Sequence, residues 1–266
     1  QPLMALSVEE IRVLVRALSA RQQAHGILSL ESAASAAADG FVREGLRLTV
    51  DGTEPDLVED ILLTRTRAML QSLNNRQRIT IEAVVAIHSG DNPRIVVHKV
   101  LSIYSTDFDK QILSEDGTVD KLRQRLQAQP ASTTDLDGFT EIMGNLAEIA
   151  RRRGVAALAE ILDDVDDEFL RCGLSWLTSG SEPASIIEDL ESRIPAGQEA
   201  CGLRYSLFTA GITAIQRGRT GADLEAEMDA DAWLTEPALP DDVFTTEPDL
   251  LWSRVLRRKG PEFARL

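Results

Sequence analysis

Residues recur in this chain at one fixed spacing. Gly26 pairs with Gly154, Gly45 with Gly173, Gly52 with Gly180, Pro55 with Pro183, and Gly90 with Gly218, each pair 128 positions apart. Between Gly26–Gly90 and Gly154–Gly218 there are 17 identities in 65 aligned positions with no gap, against roughly four expected from average residue usage. A register that never slips points to one structural unit used twice, and it limits the fold to whatever that unit can form.

The unit reads as helical. Ser7 with Glu10 has the spacing of a capping box. Ile11, Leu14, Val15 and Leu18 follow at helical intervals, matched in the second copy by Phe139, Ile142, Met143 and Leu146 behind Asp135. The first helix is expected to run toward Ala38 and break at Asp39-Gly40, with "FVREGLRLTV" as the next. Gly52 is expected to close that helix in the left-handed region, with Thr53 as the following cap and Pro55 in the first turn, where a missing N–H costs nothing. Ser181 and Pro183 repeat that chemistry. Gly90 ends the long helix, and Asp91 or Asn92 caps a further one headed by Pro93. No stretch alternates with period two, so the expected class is all-α. The expected organisation is a helical unit over 5–108, a linker over 109–134, a second unit over 135–231, and a C-terminal extension over 232–266.

Gly45 and Gly173 fall inside helices, where glycine costs about 1 kcal/mol relative to alanine. Close approach of a neighbouring helix is the expected compensation, since no polar cluster surrounds either position. The ten positions Gly26, Gly45, Gly52, Pro55, Gly90, Gly154, Gly173, Gly180, Pro183 and Gly218 are thus structural candidates, for turns or for packing.

Charge and composition narrow the function. The chain carries 28 Lys and Arg against 43 Asp and Glu, a net charge of -15, which opposes phosphate backbones and anionic headgroups. Nucleic acid and direct membrane insertion are not expected. The longest apolar run, "ITIEAVVAI", is too short to span a bilayer and contains Glu82. Two cysteines, Cys172 and Cys201, provide no disulfide framework, which suits a reducing cytoplasm. The residues ahead of Met4, Gln1, Pro2 and Leu3, read as foreign to the fold.

No constellation of catalytic type stands out. His25, His88 and His98 are too scattered for a metal site. "DDVDDE" at Asp163–Glu168 lacks the glycine and spaced ligands of a calcium loop, and its acids suit the positive end of the next helix. "SGDNPR" at Ser89 and "SGSEP" at Ser179 precede helix N-termini, where local caps are the ordinary occupants. Cys172 and Cys201 match Glu44 and Leu73 in the other copy, so neither position demands sulfur. The expected reading is non-enzymatic, with no catalytic residue, metal or cofactor.

The tail has no repeat partner. Asp229–Asp249 holds seven acids and three prolines without Lys or Arg, the pattern of an extended linker. "LLWSRVLRRKG" then places Leu251, Trp252, Val255 and Leu256 opposite Arg254, Arg257, Arg258 and Lys259. Trp252, Arg254, Arg257 and Arg258 are candidate partner-binding residues, on an amphipathic helix that docks either on another protein or on the chain's own acidic body.

Three stretches carry a resemblance. "GILSLES" with "FVREGLRLTVDGTEPDLVEDIL", then "ITIEAVVAIHSGDNPRIVVHKVLSIY", and weaker second copies in "IARRRGVAALAEILDDVDDEFLRCGLSWLTSGSEP" and "TAGITAIQRGRTGADLEAEM", resemble the cytoplasmic part of the MotA family of flagellar stator subunits, relatives of TolQ and ExbB. The family's membrane helices have no counterpart, because only polar Thr53–Glu82 separates the two motifs. Arg43, Glu44, Arg171 and Arg151–Arg153 lie on similar helices without an assignable rotor contact. The resemblance implies two soluble stator-like units that conduct no protons and bind a protein partner, a stator or rotor component, in the bacterial cytoplasm. The alternative is a generic helical scaffold or adaptor unrelated to motility.

Overall fold

The structure, a computed structural model, describes residues 3–107, 112 and 117–230. Every regular element among them is helical: α1 (Val8–His25), α2 (Glu31–Ala36), α3 (Gly40–Val50), α4 (Pro55–His88), α5 (Pro93–Tyr104), α6 (Val119–Ala128), α7 (Leu136–Arg153), α8 (Glu168–Ser179), α9 (Pro183–Gln216) and α10 (Gly221–Ala230), with short 3-10 segments. The class is all-α. The starts of α1, α3, α4 and α5 recur 128 positions on as α7, α8, α9 and α10.

Glycines set these boundaries. Gly26 and Gly154 have φ of 78° and 85° with extended ψ, a combination closed to side-chain-bearing residues. The first helix therefore stops at His25 rather than running to Ala38, and a 3-10 turn (Ile27–Leu30) and the short α2 follow. Gly52, Gly90, Gly180 and Gly218 also have positive φ. After each, the next residue's N–H reaches back over the last turn: Thr53 to the Leu48 carbonyl, Asp91 to Ala86, Ser181 to Trp176 and Arg219 to Ala214, at 2.9–3.2 Å. This is the Schellman closure. It uses Thr53 and Ser181 to end one helix, and the residues at the N-caps of α4 and α9 are instead Glu54 and Glu182, with Pro55 and Pro183 heading each helix. Asn92 caps α5 through the Arg94 N–H.

Two further expectations change. Leu3 is fully buried and its N–H donates to Asp39 Oδ2 at 2.7 Å, so it belongs to the fold. The span 109–134 is more than a linker, since α6 lies in it with Val119, Leu122 and Leu126 buried.

The long helices α4 and α9, each of 34 residues and about 50 Å in length, organise the interior. The first core joins α1, α2, α3 and the start of α4 (Val58, Leu62) to the end of α9 (Cys201–Ile215) and to α10. The second joins α6, α7, α8 and the start of α9 (Ile186, Leu190) to the end of α4 (Ile79–Ile87) and to α5. Each half thus lends the last part of its long helix, and the helix after it, to the other half's core. The spans 5–108 and 135–231 do not each enclose a core of their own.

Candidate functional site: the interface between the halves

The exchange brings the in-helix glycines against long-helix side chains from both halves. A Cβ added to Gly45 would lie 3.1 Å from Phe208 Cε1 and 3.3 Å from Leu62 Cδ1. At Gly173 it would lie 3.1 Å from Val84 Cγ2 and 3.5 Å from both Leu190 Cδ1 and Thr80 Cγ2. Leu62 and Leu190 are register equivalents, as are Phe208 and Thr80. Each glycine therefore lets its helix settle on one leucine of its own half and one or two residues lent by the other. Phe208 also meets Phe41 edge-on, ring centroids 6.1 Å apart, and Phe41 meets Tyr205 at 4.7 Å.

Two arginines at equivalent positions tie the halves through backbone. Arg76, on α4 and almost fully buried, donates to the carbonyls of Ala131 and Thr134 (2.9 Å) and to Asp167 Oδ2 (3.1 Å). Its guanidinium sits 4.1 Å above the Phe139 ring centre. Asp167 also caps α8 through the Leu170 N–H. Arg204, on α9, donates to the Leu6 carbonyl at 2.8 Å, the register equivalent of the Thr134 contact. A buried guanidinium is tolerable here because its donors are met by carbonyls, a carboxylate and an aromatic face.

α10 is strapped to its surroundings by charge. Arg12 pairs with Glu225 (2.8 Å) and Asp229, and Arg16 with Glu225 (2.6 Å). Arg217 reaches Glu227 (2.7 Å), Asp56 (3.0 Å) and Glu59 (3.0 Å). Burial alone would raise the Glu225 pKa, but Arg16 and Arg12 hold it below the ordinary carboxylate value. Burial is also the largest single influence on Arg217 and pulls downward, yet its three carboxylate partners together hold it above its usual value. Leu224 and Met228 are buried beneath these pairs.

Gly26, Gly52, Gly90, Gly154, Gly180 and Gly218 have open space where a Cβ would sit, so only backbone conformation selects them. Gly45 and Gly173 lie at the interface, and Pro55 and Pro183 start its two long helices. Trp252, Arg254, Arg257 and Arg258 lie outside the described residues. His25, His88 and His98 are exposed on α1, α4 and α5. Among the described residues no group of three His, Cys, Asp or Glu is placed to hold a metal, and no helix is long and apolar enough to cross a membrane. A surface hollow is lined in part by Leu28, Arg21, Ser29 and Ser32, with Arg21 already bonded to the Ser29 carbonyl and Ser32 hydroxyl. The sequence reading missed Arg76. Its signal was the recurrence of arginine at 76 and 204, 128 positions apart, inside the two long helices.

The cysteines make a testable contrast. Cys201 is buried in the first core, which pushes its thiol pKa up to about 11. Cys172 is half-buried with Arg193 Nη1 at 3.8 Å. A thiolate-selective disulfide reagent near neutral pH is expected to titrate Cys172 alone in the folded protein, and both cysteines in guanidinium chloride. Two fast thiols in the native chain would contradict the packing around α9.

A family model described as DUF179, AlgH-like, matches residues 203–264. The match starts on α9, runs through α10 and continues beyond Ala230. A UPF0301 protein of Thermobifida fusca is 53% identical over 53 residues, 20% of this chain and 27% of that protein. One from Chlorobaculum tepidum is 38% identical over 65 residues, 24% and 31%. Motility protein A of Helicobacter pylori is 37% identical over 78 residues, 29% and 30%. The chain thus spans under a third of each of these relatives. No solved structure matches it. The family model and the UPF0301 relatives overturn the stator-family expectation and with it the flagellar-motor and motility reading, which rested on short motifs shared over part of each chain. What the family match describes is a segment of 62 residues out of 266.

Proposed function

We propose that this chain is a non-catalytic helical scaffold that anchors an AlgH-like segment and presents its remainder to a protein partner. The observation that carries this reading is where the matched segment begins. Tyr205, Phe208, Ile212 and Ile215 on α9, and Leu224 and Met228 on α10, are all buried in the first core. The segment is thus rooted in the bundle by hydrophobic packing and by the ion pairs of Arg12, Arg16 and Arg217. Its later part, 231–264, follows in sequence on α10, a helix held by Arg12 and Arg16 of α1 and by Arg217 at the end of α9. The net charge of -15 favours a protein partner over a nucleic acid or an anionic membrane.

The test compares the full chain with a chain ending after Ala230 as affinity baits in the cells it comes from. The full chain is expected to retain one protein near equimolar ratio, and the shortened chain to lose it. Absence of any stoichiometric protein on the full chain would overturn the reading. So would turnover of a general panel of ester, phosphoester and peptide substrates.

A further inference from the structure

The elements that recur at 128 residues are not interchangeable where the halves meet, and the differences come in matched sets. Val15 on α1 packs so tightly on Gly211 of α9 that an added Cβ there would lie 2.6 Å from Val15 Cγ1. The equivalent positions hold Met143 and Ala83. Beside it, Arg16 pairs with Glu225 at 2.6 Å. The equivalents of that pair are Gly144 and Val97, in apolar contact so close that a Cβ at 144 would sit 2.9 Å from Val97 Cγ2. Across the bundle Gly45 receives the Phe208 ring, whereas Gly173 receives the smaller Thr80 and Val84.

We propose that residues 3–107 and 117–230 form a heterologous binding pair, each half the specific partner of the other and a poor partner for a second copy of itself. Pairing two first halves would set Val15 on Ala83, where the observed contact admits only glycine. It would also press Arg16 onto Val97 without a carboxylate, and leave Thr80 where Gly45 needs the Phe208 ring. Pairing two second halves would set Phe208 and Ile212 against Gly173, where Thr80 and Val84 already touch. It would leave Glu225 facing Gly144 with no cation. Steric excess, an unpaired charge and a void fall on the self-pairs, whereas in the observed pair Gly211 admits Val15, Glu225 meets Arg16 and the Phe208 ring covers Gly45. Two such defects correspond to self-pairing weaker by about a hundredfold.

The experiment uses the full chain with a protease site inserted within 108–116, folded first and cut afterwards. The cut protein is expected to elute as a single 1:1 species. Mixing unlabelled and isotope-labelled batches until fragments exchange, followed by native mass spectrometry, is expected to show first-with-second pairs only. Gly211→Ala is expected to speed dissociation of the cut pair about tenfold or more, and Val15→Ala in the same chain to restore it. Separation of the fragments on cutting would overturn the proposal. Self-pairs as abundant as heterologous pairs, or failure of Val15→Ala to rescue, would do the same.

Discussion

Phe208→Ala is expected to lower the unfolding free energy by about 3–5 kcal/mol, the range for deleting a fully buried phenylalanine from a packed core. Phe208 is 0% exposed. Its ring fills the space over Gly45 and stacks edge-on against Phe41. The glycine cannot move a side chain into the hole, so the cavity collapses poorly and the cost falls toward the upper end. Alanine's better helix propensity returns at most about 0.7 kcal/mol, too little to change the sign. The register equivalent gives the control. Thr80 is equally buried, but its hydroxyl donates only to the Arg76 carbonyl one turn back at 3.0 Å, so Thr80→Ala is expected to cost about 1 kcal/mol. Urea titration followed by circular dichroism measures both. Equal losses at the two positions would show that the lent end of α9 does not fill the first core in this way.

The contrast between Phe208 and Thr80 also shows what the sequence could and could not convey. Helix ends were legible at Gly52, Gly90, Gly180 and Gly218 because a positive φ excludes nearly every other residue. The in-helix position of Gly45 and Gly173 was legible because an unfavourable residue kept at both places needs a packing reason. Which helix makes the close approach was not legible. Leu62 and Phe208 both present apolar groups at helical spacing, and the same periodicity would serve a core closed within one half or a core completed by the other. Arg76 was hidden for a related reason. Its partners are two carbonyls and Asp167, at separations of 55, 58 and 91 residues, and backbone carbonyls leave no mark on a sequence. Leu3 was read as foreign to the fold and α6 as part of a linker, since neither has a counterpart that repeats visibly in the sequence. The stator resemblance misled through the same residues that gave the helices correctly. In "GLRLTVDGTEP" the glycines and proline close one helix, start another and admit a neighbour, and those tasks belong to helical packing whatever the protein does.

Arg76→Leu is expected to cost about 3–5 kcal/mol, and Arg204→Leu about 1–2 kcal/mol, although the two arginines are register equivalents. Leucine at 76 leaves the buried Ala131 and Thr134 without their carbonyls' donor and strips Asp167 of its cation. It also removes the guanidinium from the Phe139 face. Hydrophobic gain from leucine offsets part of this, but the stranded acceptors keep their full desolvation cost. Arg204 is partly exposed and, among the described residues, bonds across the halves to the Leu6 carbonyl and within its own helix to the Ala200 carbonyl. Water can replace that loss. Arg76→Lys separates charge from shape: an ammonium keeps the charge but cannot serve two carbonyls, a carboxylate and a ring face together, so about half of the loss is expected to remain. Chemical denaturation of the three variants decides the matter. A lysine variant as stable as the parent would reduce the site to simple charge balance. A leucine variant at 204 as damaging as the one at 76 would mean that both arginines are buried ties of equal weight.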